Sequence, residues 1–150
     1  WSEIDFEGKL WAIPAERMKA KEPHTVPLTD EALDILRPLY DVRYSDYVFP
    51  GQQPRKPLSN MTMAMTMRRM GIDKDIATVH GFRSSFRDWA GDRTSAAREV
   101  AEAALAHAVG NATERSYRRG DALEKRRRLM IQWSEFCSGN QDGKIVRLRV

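Results

Sequence analysis

The chain has a single cysteine in 150 residues, Cys137. No internal disulfide can form, and this usage suits a reducing, cytoplasmic compartment. No apolar run reaches membrane-spanning length, and no signal peptide is visible. There are only three histidines, and none is paired with another or with Cys137 at a zinc-ligand spacing, so no metal is expected. Internal repeats and low-complexity tracts are missing too. At this length the chain reads as one domain, long enough for a real core. It opens at Trp1, without a methionine and inside a strand, and so reads as a piece of something longer.

The surplus of positive charge is small, +4, with a sequence pI of about 9.4. It is compatible with a polyanionic partner without demonstrating one. The basic residues cluster at Lys19/Lys21, Arg68/Arg69, Arg118/Arg119 and Lys125 to Arg128. A solvated helix face explains the last cluster at least as well as nucleic-acid contact does.

Two apolar segments, Trp1 to Phe6 and Leu10 to Ile13, flank a Glu7-Gly8 turn and predict a hairpin. A charged loop, Pro14 to Pro23, leads to a third strand at 24–28, where Pro27 marks an edge or an end. Thr29 caps a helix with Asp30 and Glu31 in its first turn, and Pro38 limits its tail. After a turn-rich connection, Ser59 to Met70 fits a helix stopped by Gly71. Its alternating methionines also fit a strand, but the caps favour helix, and the methionines read as core filler. Thr94/Ser95 opens an alanine-rich helix through about Ala106. Asn111 caps a short helix carrying Tyr117, and Asp121 begins a long one to about Phe136. Lys144 to Val150 alternates like a strand with no obvious partner.

The stretch from Thr78 to Arg119 organises the rest. A helix opening at His80 puts Phe82, Phe86 and Trp89 on one face and His80, Arg83, Ser84 and Arg87 on the other. Arg83 offers a planar fork of donors suited to phosphate. A histidine beside it can donate to the same oxyanion or pass a proton. His107 and Tyr117 follow, and these residue types together suit phosphoryl transfer with tyrosine as nucleophile. Each residue alone also has a bland reading: a surface arginine, a hydrogen-bonded structural histidine, a tyrosine packing by its ring.

His-x-x-Arg (His80, Arg83), then Leu105-Ala106-His107, then Tyr117 resembles the catalytic box of the tyrosine recombinases, the phage integrases. WAIPAERMKAKEPHTVPL and LAHAVGNATERSYRRGDALEKRRRLMIQW look like prophage integrases of the satellite-phage type. The resemblance covers nearly the whole chain. It implies an α+β, mainly α fold: a helical bundle with a small three-stranded antiparallel sheet at one side. It implies site-specific recombination of double-stranded DNA attachment sites, with Tyr117 attacking a phosphate to give a 3′-phosphotyrosyl link. Arg83 would be the second catalytic arginine, and His80 and His107 the two histidines. Lys19 matches the hairpin lysine that protonates the leaving 5′-oxygen, although Lys21 sits two residues on. Lys21, Arg68, Arg69, Arg118 and Arg119 would meet DNA. No cofactor is implied. Protomers would be monomers in free solution and assemble as a homo-tetramer on DNA, with the Lys144 to Val150 strand docking in trans. The family's first catalytic arginine and its amino-terminal DNA-gripping domain have no match here. Impaired strand transfer is therefore expected of the chain alone. A type IB topoisomerase and a decayed, non-catalytic DNA-binding module are the rivals.

Overall fold

In the computed structural model, residues 1–53, 55–107 and 121–139 are described. The chain starts with a three-stranded antiparallel sheet in the order β1-β2-β3: β1 (Ile4–Asp5), β2 (Leu10–Ile13) and β3 (His24–Pro27). Ile4 faces Trp11 in the first pairing, and Leu10 faces Pro27 in the second. The hairpin turn is closed by Asp5, whose Oδ1 accepts from the backbone N–H groups of Glu7 and Gly8 at 3.0 and 2.8 Å. A Cβ on residue 8 would lie 2.3 Å from Asp5 Oδ2, which explains the glycine. β1 is shorter than the expected Trp1 to Phe6, because the backbone turns at its start: the Ile4 N–H donates to the Trp1 carbonyl at 3.0 Å. Pro27, which cannot donate to a ladder, lies on an edge strand as its chemistry requires.

Among the described residues, five α-helices follow: α1 (Asp30–Asp41), α2 (Thr62–Arg69), α3 (Gly81–Arg93), α4 (Arg98–Ala104) and α5 (Asp121–Cys137). The fold is thus α+β and mainly α, as the sequence implies. Thr29 caps α1 through its hydroxyl, which accepts from the Ala32 N–H at 3.3 Å. Pro38 is carried inside α1, which runs on to Asp41 before ending. The ambiguous methionine segment is helical. α2 ends in a Schellman cap, with Gly71 at φ 77° and the Ile72 N–H reaching back to the Met67 carbonyl at 2.9 Å. Its methionines are not core: Met61, Met63, Met65 and Met70 are exposed.

The core sits where α3, α4 and α5 meet. Phe86, Trp89 and Ala90 of α3, Ala101 of α4 and Leu129 of α5 are buried together. Trp133 and Phe136 extend the cluster along α5, with the Trp89 and Trp133 rings 5.0 Å apart. The i, i+4 spacing of Leu129 and Trp133 is what keeps one stripe of α5 facing α3. Phe82 departs from expectation: it is 58% exposed. It belongs to the first turn of α3, and the buried cluster begins one turn later, at Phe86. α4 is also shorter than expected, because Thr94 is used elsewhere. Its hydroxyl donates to the Ala90 carbonyl at 2.6 Å and accepts from the Ala96 N–H at 3.1 Å, closing α3 instead of opening α4.

The basic run of α5 is divided in its uses. Arg126 is half-buried and donates from Nη1 to the Thr25 carbonyl of β3 at 2.7 Å. Arg127 reaches the Lys9 and Gly8 carbonyls at 3.4 and 3.3 Å. Both guanidiniums fasten helix to sheet. His24, read from sequence as structural, sits beside this joint, where burial and then the Arg126 charge push its imidazole below the ordinary histidine range. Among the described residues, no helix is long and apolar enough to cross a membrane.

Candidate active site

α3 brings the first two candidate residues to one end of the bundle. Just before it, the Thr78 hydroxyl accepts from the Gly81 N–H at 3.0 Å. His80 occupies the N-cap position, exposed, with its ring making no hydrogen bond to a described residue. Arg83 follows in the first turn, its side chain on the exposed face while Phe86 and Trp89 anchor the opposite one.

His107 comes to Arg83 from 24 residues away. α4 ends at Ala104, and a Schellman cap then reverses the chain: the Ala106 N–H donates to the Ala103 carbonyl at 3.1 Å, and the His107 N–H to the Glu102 carbonyl at 2.9 Å. The motif needs a left-handed residue, and here an alanine supplies it, with φ 56° at Ala106. The result is contact between two candidate residues. Arg83 Nη2 donates to His107 Nε2 at 2.7 Å and to the Leu105 carbonyl at 2.7 Å.

Behind them stands a carboxylate that the sequence reading passed over. Glu102, only 9% exposed, places Oε2 2.5 Å from His107 Nδ1 and accepts from Arg87 Nε on Oε1 at 2.7 Å. Arg98 Nε is 4.0 Å from the same Oε1. The Arg87 and His107 hydrogen bonds hold the Glu102 carboxyl down to about 2, against the upward push of burial. It is therefore an anion at all ordinary pH values. The sequence does carry a trace of it: Arg87 lies one helical turn after Arg83, and Glu102 is one of two acids in an alanine-rich helix, with Glu99.

The remaining candidates divide. Lys19 lies in the β2–β3 connection, exposed, after a 3₁₀ turn at Ala15–Arg17, and its ammonium makes no ion pair with a described residue. Lys21, in the same loop, is exposed at φ 56°. Arg68 and Arg69 are exposed in the last turn of α2. Tyr117, Arg118 and Arg119 lie outside the described residues, as do Asn111 and the segment Lys144 to Val150, expected from sequence to be a strand.

The family model described as the phage integrase family matches residues 1–124. The chain belongs to the phage integrase family. Among its curated integrase relatives, the prophage integrase IntA of Escherichia coli strain K12 is 39% identical over 150 residues, covering 97% of this chain and 35% of the relative. The integrase of Enterobacteria phage P4 is 31% identical over 166 residues, covering 100% of this chain and 38% of its own. That of Shigella phage Sf6 is 29% identical over 139 residues, covering 91% and 36%. This integrase-family chain thus spans about a third of the length of the curated relatives it matches. No solved structure matches it.

Proposed function

We propose that the chain is the catalytic domain of a site-specific tyrosine recombinase that integrates a prophage or genomic island by cutting and rejoining double-stranded DNA. The observation that carries this reading is the direct contact of Arg83 with His107, at a bundle end that also bears His80. A permanent cation and two imidazoles gathered there suit a phosphodiester whose charge grows during substitution. Tyr117 is the nucleophile. Its oxygen bonds to phosphorus while the bond from phosphorus to the 5′-oxygen breaks. The phenolic proton passes to an imidazole, and the leaving oxygen takes a proton from Lys19. The 3′-phosphotyrosyl link conserves the bond energy, and the 5′-hydroxyl of another strand reverses the step. No cofactor takes part. Lys21, Arg68, Arg69, Arg118 and Arg119 contact the DNA backbone, which fixes register without reading sequence. Four protomers assemble on DNA in the bacterial cytoplasm and exchange carboxy-terminal segments, the Lys144 to Val150 strand among them.

The test is covalent capture on a suicide attachment-site substrate, using the intact protein. Tyr117→Phe abolishes the protein–DNA adduct and spares DNA binding. An adduct that persists in Tyr117→Phe rejects the nucleophile. Relaxation of supercoiled DNA without recombination would point instead to topoisomerase-like chemistry.

A further inference from the structure

We propose that Glu102 is a positioning residue for His107, holding the neutral ring with its proton on Nδ1 and its Nε2 lone pair turned into the site as a proton acceptor. The two neighbours of the ring dictate the same tautomer independently. Arg83 has donors only, so the nitrogen 2.7 Å from its Nη2 must accept. An ionised carboxylate has acceptors only, so the nitrogen 2.5 Å from Glu102 Oε2 must donate. Glu102 grips His107 twice, because its own backbone carbonyl accepts the His107 N–H at 2.9 Å. Ring and backbone are thus referred to one residue of α4. The carboxylate is itself fixed, since Arg87 Nε occupies its other oxygen at 2.7 Å. The arrangement is that of a base oriented by a third group, here a glutamate behind an imidazole.

The consequence, which rests on the recombinase reading, concerns the nucleophile's proton. When a DNA phosphate engages the Arg83 fork, His107 Nε2 is released. Tyr117 then gives its phenolic proton to Nε2 as its oxygen bonds to phosphorus. The imidazolium so formed keeps its Nδ1–H on Glu102, and the carboxylate stabilises the new charge. The departing 5′-oxygen takes its proton from Lys19, so the site ends with one proton moved in and one moved out.

Two measurements on the intact protein test this. Long-range ¹H–¹⁵N correlation of ¹⁵N-histidine-labelled protein, assigned with His107→Gln, is expected to show the neutral His107 ring protonated on Nδ1. A ring protonated on Nε2 overturns the assignment, with no variant of Glu102 needed. Glu102→Gln keeps the shape but leaves one oxygen for two donors. It removes the anion that stabilises the imidazolium and is expected to slow single-turnover covalent capture by on the order of 10²-fold, with DNA affinity unchanged. Capture within about twofold of the parent, well short of a positioned base's contribution, overturns the role of Glu102. Failure of the recombinase reading is seen separately: Tyr117→Phe would still capture DNA, while the tautomer spectrum stood as it was.

Discussion

Arg126 of α5 and Thr25 of β3 are joined by a 2.7 Å hydrogen bond across 101 residues of chain. A charged donor, half-buried, meets a backbone carbonyl there, and such bonds contribute more than neutral ones. Arg126→Ala is expected to lower unfolding free energy by about 1.5–3 kcal/mol, read as a lower urea midpoint with unchanged slope. Arg128→Ala, at an exposed position of the same helix, should stay within about 0.5 kcal/mol of the parent.

Phe82 and Phe86 separate the two meanings of an aromatic on α3. Phe86 is 5% exposed in the central cluster, and Phe82 is 58% exposed. Phe86→Ala is expected to cost about 3–5 kcal/mol by thermal or chemical denaturation. Phe82→Ser should cost less than about 0.5 kcal/mol. Equal losses would mean that the buried cluster reaches the first turn of α3.

Ala106 holds a positive φ of 56° without being glycine. A left-handed conformation costs an L-residue about 1–2 kcal/mol, partly offset in glycine by the extra freedom of its unfolded chain. Ala106→Gly is therefore expected to raise stability by about 0.5–1 kcal/mol in a urea titration.

Glu102 makes stability sensitive to acid. Its carboxyl is held at about 2 by Arg87 and then His107, below the 4.5 of an ordinary glutamate. A depressed folded value means that the unfolded chain takes up the proton first. The contribution is therefore complete above about pH 4.5 and is lost as pH falls toward 2. Urea midpoints measured across that window should fall in the parent and fall less steeply in Glu102→Gln.

Arg83→Lys tests the shape of the cation as well as its charge. Lysine keeps the positive charge but not the planar guanidinium, whose Nη2 alone meets the Leu105 carbonyl and His107 Nε2 and whose other nitrogens are left for a phosphate. Covalent capture should fall on the order of 10²–10³-fold, with little change in melting temperature because the side chain is exposed.

Much of this was legible in the residues. The Asp5 to Gly8 turn, the Thr29 cap and the Gly71 stop are short-range devices, and the structure uses each as local chemistry dictates. The alternation of apolar residues and the 3.6-residue period place the three strands and the buried side of α3. What escaped was non-local. Nothing near Arg126 in sequence says that its guanidinium turns back to a strand a hundred residues earlier, so the basic run read as a solvated or DNA-facing surface. Glu102 escaped for the same reason: an acid among alanines reads as ordinary helix until Arg87 and His107 arrive on either oxygen. Phe82 shows the limit of periodicity, which gives a direction around the helix but not how far along it the partner helices extend.

The seventeen residues of α5 touch both ends of the machinery, its early arginines on the sheet that carries the Lys19 loop and its later aromatics on α3. A helix is stiff in torsion, so one residue inserted between Arg127 and Leu129 would turn everything beyond it by roughly 100°. The sheet clasp and the tryptophan stack could not then both be satisfied. Length in this rod is therefore under tighter constraint than composition, and the hairpin and the guanidinium helix keep their mutual alignment only as long as its phase is preserved.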